Sequence, residues 1–236
     1  MHTWGADQKV ENLAARVNSL YSYLASEEPG RYIVANMPPR FSYILFYKPY
    51  GVLSQFTHES GHQSLQDFGP FTNGVYPVGR LDVDSEGLLL LTNDNQLKYR
   101  LTTPSFHHTR TYLVQVERIP SAASLQKLRD GVSIKSRLTR PAVVRLCSHD
   151  PIMQPRTAPI RERKNVPTCW IEITLTEGRN RQVRKMTAAV GHPALRLVRS
   201  RISFLSLDGL APGERRRLTS DEITRLNRLV KDGGEV

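Results

Sequence analysis

Residues 79–94, GRLDVDSEGLLLLTND, crowd one cation and three acids together: Arg80, Asp82, Asp84 and Glu86. Gly87 ends this polar burst and four leucines follow, closed by Thr-Asn-Asp-Asn. An unbroken apolar run of that kind reads as a fully buried strand ending in a turn. The acids then sit on a loop at the strand's mouth, a rigid place from which to aim a carboxylate into a cleft. Three chemistries could use them. Asp82, Asp84, Glu86 and Gly87 match the first half of a calcium loop, but its last position requires a bidentate Glu and holds Asn93. A carboxylate pair working across a glycosidic bond needs two acids facing one another. Asp82 and Asp84 are expected to point to opposite sides of the loop, which disfavours that option. A single working aspartate with a cation beside it, supplied by Arg80 or by arginines further along, suits the residue types best.

Those further cations are concentrated. Residues 156–201 hold eleven Lys/Arg and three Glu, a net +8 out of +11 for the 236-residue chain. One basic surface of this kind is the footprint of a phosphate-backbone binder. Proline and strand-like runs interrupt it, whereas a membrane-surface helix would keep one face apolar, so nucleic acid is the expected partner and no membrane is. Hydrophobic content of 39% and charged content of 23% are those of a soluble globular protein. No stretch approaches the roughly 20 apolar residues of a membrane span, and the N-terminus lacks a signal-peptide core. Cys147 and Cys169 have no paired spacing, so neither a disulfide framework nor a zinc site is expected. Free thiols point to a cytoplasmic location.

The elements that must position these residues follow from periodicity. Apolar residues at 13, 17, 20 and 24 predict a helix over 11–26, and Pro38-Pro39-Arg40 marks a linker. Residues 41–47 read as a strand running into Lys48-Pro49-Tyr50-Gly51, which is equally a plain turn or a loop beside a substrate phosphate. Asp94-Asn95 reads as a hairpin turn and 96–102 as a short helix. Arg110 and Tyr112 open an alternating strand; His107 and His108 before it lack metal-ligand company and are expected to be exposed or RNA-facing. A helix over 121–130 starts on a Ser cap. Strands are expected near 132–134 and 142–146. The loop over 148–167, with four prolines and Arg156, Arg161, Arg163 and Lys164, is long enough to be functional or mobile. A strand over 170–176 leads through Glu177-Gly178 into a helix carrying Arg179, Arg181, Gln182 and Arg184. That turn can bind anions but lacks the Gly-Lys-Ser/Thr of a nucleotide loop. On a helix Arg181 and Arg184 share a face and Arg179 diverges. A strand over 195–199 and an amphipathic helix over 219–230 complete the chain.

Gly79-Arg80-Leu81-Asp82, continuing through Asp84-Ser85-Glu86-Gly87-Leu88-Leu89, resembles the catalytic motif of the RNA pseudouridine synthases. More narrowly, it resembles the branch typified by the bacterial ribosomal small-subunit synthase A (RsuA). Lys48-Pro49-Tyr50-Gly51 resembles the family's opening Asn-Lys-Pro-x-Gly, with Tyr47 in the place of Asn. Arg110-Thr111-Tyr112 resembles its Lys-x-Tyr, and the run from Glu177 to Met186 matches its third motif. The proline- and arginine-bearing loop resembles the large-subunit rRNA synthase E subgroup, whose members lack the small N-terminal RNA-binding domain of other relatives. Forty residues are too few for that domain here. The resemblance covers about residues 41–215.

It implies an α+β pseudouridine synthase fold, with a mixed, mostly antiparallel sheet in two halves, flanking helices and a central cleft. Residues 1–40 would be a helix and linker, 41–230 the catalytic domain and 231–236 a tail. The implied reaction is site-specific isomerisation of uridine to pseudouridine in bacterial ribosomal RNA, most simply 23S rRNA, by a monomer acting on a base flipped out of structured RNA. Asp82 would be the catalytic carboxylate, Arg184 its ion-pair partner, Tyr112 the ring that stacks on the uracil and Leu197 the apolar wall beneath it. Arg80, Lys48, Arg110, Arg179, Arg181 and Gln182 would bind substrate. Neither metal nor cofactor is implied, because uracil leaves as a stabilised anion. The rival is a non-catalytic rRNA-binding or ribosome assembly protein. It would explain the charge but not Asp82, since an acid facing RNA only weakens binding.

Overall fold

The four leucines lie within β3 (Glu86–Thr92), every residue of which is buried. Leu88 and Leu90 enter one core, with Leu97, Leu101, Leu226 and Val230; Leu89 and Leu91 enter another, with Leu65, Val75 and Leu81. A strand covered on both faces has no polar side to show, which is why its sequence does not alternate. The computed structural model describes residues 41–156, 158–160 and 165–232. The expected helix over 11–26, the linker at 38–40, Arg161, Arg163, Lys164 and residues 233–236 lie outside the described residues.

Around β3 the described chain runs β1 (Tyr43–Lys48), β2 (Tyr76–Pro77), β3, α1 (Asn95–Thr102), β4 (Arg110–Glu117), α2 (Ala122–Asp130), β5 (Ser133–Ile134), β6 (Arg137–Leu138), β7 (Val143–Leu146), β8 (Thr168–Leu175), α3 (Gln182–Ala189), β9 (Ala194–Ile202), β10 (Leu205–Ser206), β11 (Arg215–Arg217) and α4 (Ser220–Asp232). Nine strands form one sheet in the order β11-β1-β3-β9-β4-β8-β7, with β2 added to β3 and β10 to β9. β5 and β6 pair separately. The fold is α+β and the large sheet mostly antiparallel, as the resemblance implied. Its one parallel pairing joins β3 to β9 over Glu86↔Val198 and Gly87↔Arg199. That short seam divides the sheet into halves. The half with β1 and β3 packs against α1 and α4, and the half with β4 and β8 against α2 and α3.

Gly87 makes the seam possible. It sits at φ +112°, and a Cβ there would lie 2.5 Å from the Arg199 nitrogen and closer still to its carbonyl oxygen. No L side chain fits both that conformation and that spacing. Beside it, Arg196 on β9 donates from Nε and Nη2 to both oxygens of Glu86 on β3, at 2.9 and 2.7 Å. The pair is buried on both sides, and the forked geometry is what makes burying two charges tolerable.

Two local expectations change. Asp94 is not part of a hairpin turn but the N-cap of α1, accepting from Leu97 N at 3.0 Å. A carboxylate placed three residues before an otherwise unpaired amide satisfies a helix start, and that competes successfully with turn formation. His108 is buried and stacks on Phe106 at 6.3 Å rather than facing outward; burial, with Arg110 nearby, holds its pKa low. At the other end Thr219 caps α4, its Oγ1 taking the Glu222 amide while Glu222 takes the Thr219 amide. Among the described residues no helix is long and apolar enough to cross a membrane.

Candidate active site

The acidic loop is held from below by a chain of contacts. Lys48, at the end of β1, is 0% exposed, and its ammonium donates to Pro49 O at 2.8 Å and Val52 O at 2.7 Å. That shapes the 49–52 turn, from which Gly51 N reaches Val83 O at 2.8 Å. Ser54 Oγ both donates to Leu81 O and accepts from Leu81 N, at 2.7 and 3.0 Å. A turn closed by Ser85 N on Asp82 O completes the loop. Lys48 therefore positions the loop rather than a phosphate, because its ammonium is engaged by two backbone carbonyls and does not line the cleft. Burial pushes its pKa down to about 7 against the opposing pull of Glu86, Asp84 and Asp82, with Arg199 adding to the depression.

Asp82 and Asp84 both meet Arg181: Nη1 lies 3.5 Å from Asp82 Oδ2, and the guanidinium forks onto Asp84 at 3.0 and 2.7 Å. The two carboxylates thus share a side, contrary to expectation. Alternate residues of an extended chain share a face, and the turn at Ser85 curls the segment further. Glu86, in contrast, lies in β3 on Arg196, so the three acids do not converge as a calcium loop requires. Arg184 does not make the expected pair with Asp82. Its Nη2 donates to Asp84 O at 2.6 Å, its Nε lies 3.4 Å from Asp84 Oδ2, and its Nη1 donates to Ala194 O. Arg181, at the left-handed N-cap of α3, stands further forward and is the cation that reaches Asp82. Burial raises the Asp84 carboxyl, but the Arg181 hydrogen bond and the charges of Arg184 and Arg181 outweigh it and leave the pKa below its ordinary value.

These groups open onto a cleft of about 650 Å³, within the roughly 300–1,000 Å³ of small-molecule sites. Asp82, Arg80, Tyr112, Leu197, Arg110, Arg179, Arg181 and Gln182 all line it; Lys48 and Arg184 do not. Tyr112 is half-buried and touches cores of both sheet halves, so the cleft straddles the seam. Some of the lining is already engaged. Arg179 holds Glu177 and the carbonyls of Arg137 and Leu138. Gln182 Nε2 donates to Glu177 at 2.7 Å, its Oε1 accepts from Arg179 N, and Arg110 donates to Leu101 O. Arg156, in the proline-bearing loop, lies over the Tyr50 ring at 4.0 Å and donates to Ala158 O and Pro159 O.

Comparison with known proteins shows the family of the chain that carries this cleft. Residues 42–189 match the family described as RNA pseudouridylate synthase. A protein of Xanthomonas axonopodis pv. citri named ribosomal large subunit pseudouridine synthase E is 54% identical over 171 residues, covering 72% of this chain and 90% of that one. One of the same name from Vibrio vulnificus is 51% identical over 171 residues, covering 72% of each. A crystal structure of a pseudouridylate synthase has a TM-score of 0.66 at 29% identity, covering 79% of this chain and 74% of that one. The chain belongs to the RNA pseudouridine synthase family. As a pseudouridine synthase it is an enzyme that converts uridine to pseudouridine, and its large-subunit synthase E relatives place it in the branch that its motifs resemble.

Two residues of the cleft were not singled out by sequence: Ser54 pins the acidic loop, and Arg199 lines the cleft beside Leu197. Asp84, weighed from sequence as a calcium ligand or one of a carboxylate pair, instead anchors Arg181 and Arg184. For Arg199 a signal did exist. In Leu195-Arg196-Leu197-Val198-Arg199 it stands two residues after Leu197 and so shares that residue's face of the strand. Ser54 carries no local signal, because its partner is 27 residues away.

Proposed function

We propose that this enzyme isomerises one uridine of large-subunit ribosomal RNA, in the bacterial cytoplasm and as a monomer, on a base flipped into the cleft. The names of the large-subunit synthase E relatives support the substrate, and the basic residues around the cleft suit a phosphate backbone. The observation that carries the reading is Asp82, an acid placed on the wall of an arginine-rich cleft together with Tyr112 and Leu197. A carboxylate among phosphates weakens binding, so a binding-only protein leaves it without a purpose.

In this reading the uracil lies between the Tyr112 ring and Leu197, and its ribose faces Asp82. The bond from N1 to C1′ breaks, the base turns, and C5 bonds to C1′ while the hydrogen on C5 departs as a proton. Asp82 serves as nucleophile at C1′ or as base at C2′; either role requires the ionised carboxylate. Arg181, 3.5 Å away, supplies the neighbouring positive charge. Arg184 acts on the loop through Asp84 rather than on Asp82 itself. Flipping the base costs least where it is already unstacked, which favours a loop or junction of the RNA.

The test is Asp82→Asn, which keeps the shape and removes the charge. It should fold and bind rRNA at least as well as the unmodified enzyme, and it should release no tritium from RNA labelled at uridine C5. Turnover near the original rate would defeat the catalytic reading in favour of an rRNA-binding role.

A further inference from the structure

β9 carries a buried cation that the reaction as described does not use. Arg199 is 3% exposed, yet it lines the cleft. Its Nε donates to Leu88 O across the seam at 2.7 Å. Its Nη2 is buried and meets no hydrogen-bond partner among the described residues. A guanidinium donor left in that state is costly, because it has lost water and gained nothing in exchange. Such a donor, on the wall of a substrate cleft, has the geometry of a group waiting for its acceptor.

The sheet register says where that acceptor would be. Arg199 stands opposite Tyr112 on β4 and opposite Gly87 on β3, so one row across the seam reads Tyr112, Arg199, Gly87. Leu197 lies on the same strand face two residues earlier. A base held by the Tyr112 ring and Leu197 therefore has Arg199 as its neighbour within the sheet. The surroundings are positive as well: burial lowers the pKa of Arg110, and the nearby Arg199 charge adds to that against the opposing pull of Tyr112. The nearest acid on β3, Glu86, is committed to Arg196. Cations that meet no counter-ion among the described residues favour a ligand that gains negative charge while bound.

We propose that Arg199 is a substrate-contacting catalytic residue whose free Nη2 donates to a carbonyl oxygen of the target uracil and holds the base while it is detached and anionic. The inference rests on the uridine isomerisation described above. When N1–C1′ breaks, the electron pair stays on the uracil and spreads over N1 and the two carbonyl oxygens. The donor at one oxygen stabilises that charge and keeps the freed base in the cleft as it turns. Forming C5–C1′ returns the electron pair to a bond, the C5 hydrogen leaves as a proton, N1 takes one up, and nothing is oxidised or reduced. Placing a fixed donor where charge develops, in a site closed to water, is the most effective use of a buried dipole or cation.

The test uses the full chain, an rRNA fragment containing the target uridine, and the same fragment with 5-fluorouridine at that position. Fluorine makes the base more acidic, so its anion needs less stabilisation from the protein. Single-turnover loss of the starting nucleoside is followed for the unmodified enzyme, Arg199→Met and Arg199→Lys, with RNA affinity measured alongside. Arg199→Met should lose on the order of 100-fold with uridine, as for removal of one donor to a developing anion. With 5-fluorouridine the loss should shrink to less than about tenfold, at nearly unchanged affinity. If Arg199→Met does not fold, Arg199→Lys, which keeps the stem and charge but not the fork, should show the same narrowing from a smaller deficit. Equal slowing with both bases, or no slowing, overturns the proposal and leaves Arg199 a structural link to Leu88. Turnover of the uridine fragment by the unmodified enzyme, in the same assay, separates failure of this inference from failure of the isomerisation reading.

Discussion

Lys48 shows how far a residue's type can mislead about its task. A lysine next to Pro and Gly invites a phosphate, yet its ammonium is spent on two backbone carbonyls. A neutral amine still has two hydrogens, enough for both bonds, so burial can favour loss of the charge without unmaking the turn. The consequence is a pH dependence of stability. In the unfolded chain Lys48 titrates near 10.5 and in the folded chain near 7. Between those values the unfolded state binds a proton that the folded state does not, so this residue makes stability rise with pH across that window, at up to about 1.4 kcal/mol per unit. Below about pH 7 both states are protonated and the cost of burying the charge is constant. Denaturant unfolding of the unmodified enzyme and Lys48→Met at pH 7.5 and 9.5 checks this: the difference between them should move in favour of the unmodified enzyme at the higher pH. A pH-independent difference would mean that Lys48 stays charged when folded.

At the scale of elements, everything converges on the β3–β9 seam. The acidic loop precedes β3, Leu197 and Arg199 come from β9, and Tyr112 from the neighbouring β4. Gly87 sets the spacing of that junction. Gly87→Ala must force backbone apart at Arg199 and adopt a positive φ that alanine resists. We expect a loss of at least about 2–3 kcal/mol in unfolding free energy. Activity should fall further than the loss of folded protein accounts for, because the site straddles the two halves. Gly191→Ala is the control: it has a comparable positive φ, at +88°, but open space around it. It should cost less and leave turnover of the folded fraction near normal. Equal effects at both positions would mean that backbone conformation, not strand approach, is what Gly87 supplies.

For the whole molecule, the +8 carried by residues 156–201 divides into different uses. Arg196 and Arg199 are buried at the seam, Arg179 and Arg184 brace the loops, and Arg156 lies on Tyr50. Fewer of these cations are available to phosphates than the sequence suggests. Replacing Arg161, Arg163 and Lys164 together with Ala should therefore weaken rRNA binding, and should flatten its log–log salt dependence by about two units if all three contact phosphates. Filter binding or fluorescence anisotropy across a salt series measures it. An unchanged slope would assign the RNA backbone to Arg80 and Arg181 on the cleft instead.

What the sequence determined by itself is what rests on contiguous residues. The leucine run made β3 a doubly covered strand, the Ser121 and Thr219 caps began their helices where expected, and the four motifs carried the family and its fold. Most of the residues that now line the cleft were legible for the same reason, since each lies inside a motif. The partnerships were not. Which arginine meets Asp82, why Lys48 is buried and why Gly87 cannot be replaced depend on segments brought together from across the chain. Arg181 and Asp84 are 97 positions apart, and Arg196 and Glu86 are 110 apart. A periodic pattern reports which face of an element is apolar; it says nothing of which distant charge will share that face. Only the close approach of β3 and β9 decided that, because inside the core each buried charge must find a partner or leave a donor waiting for one.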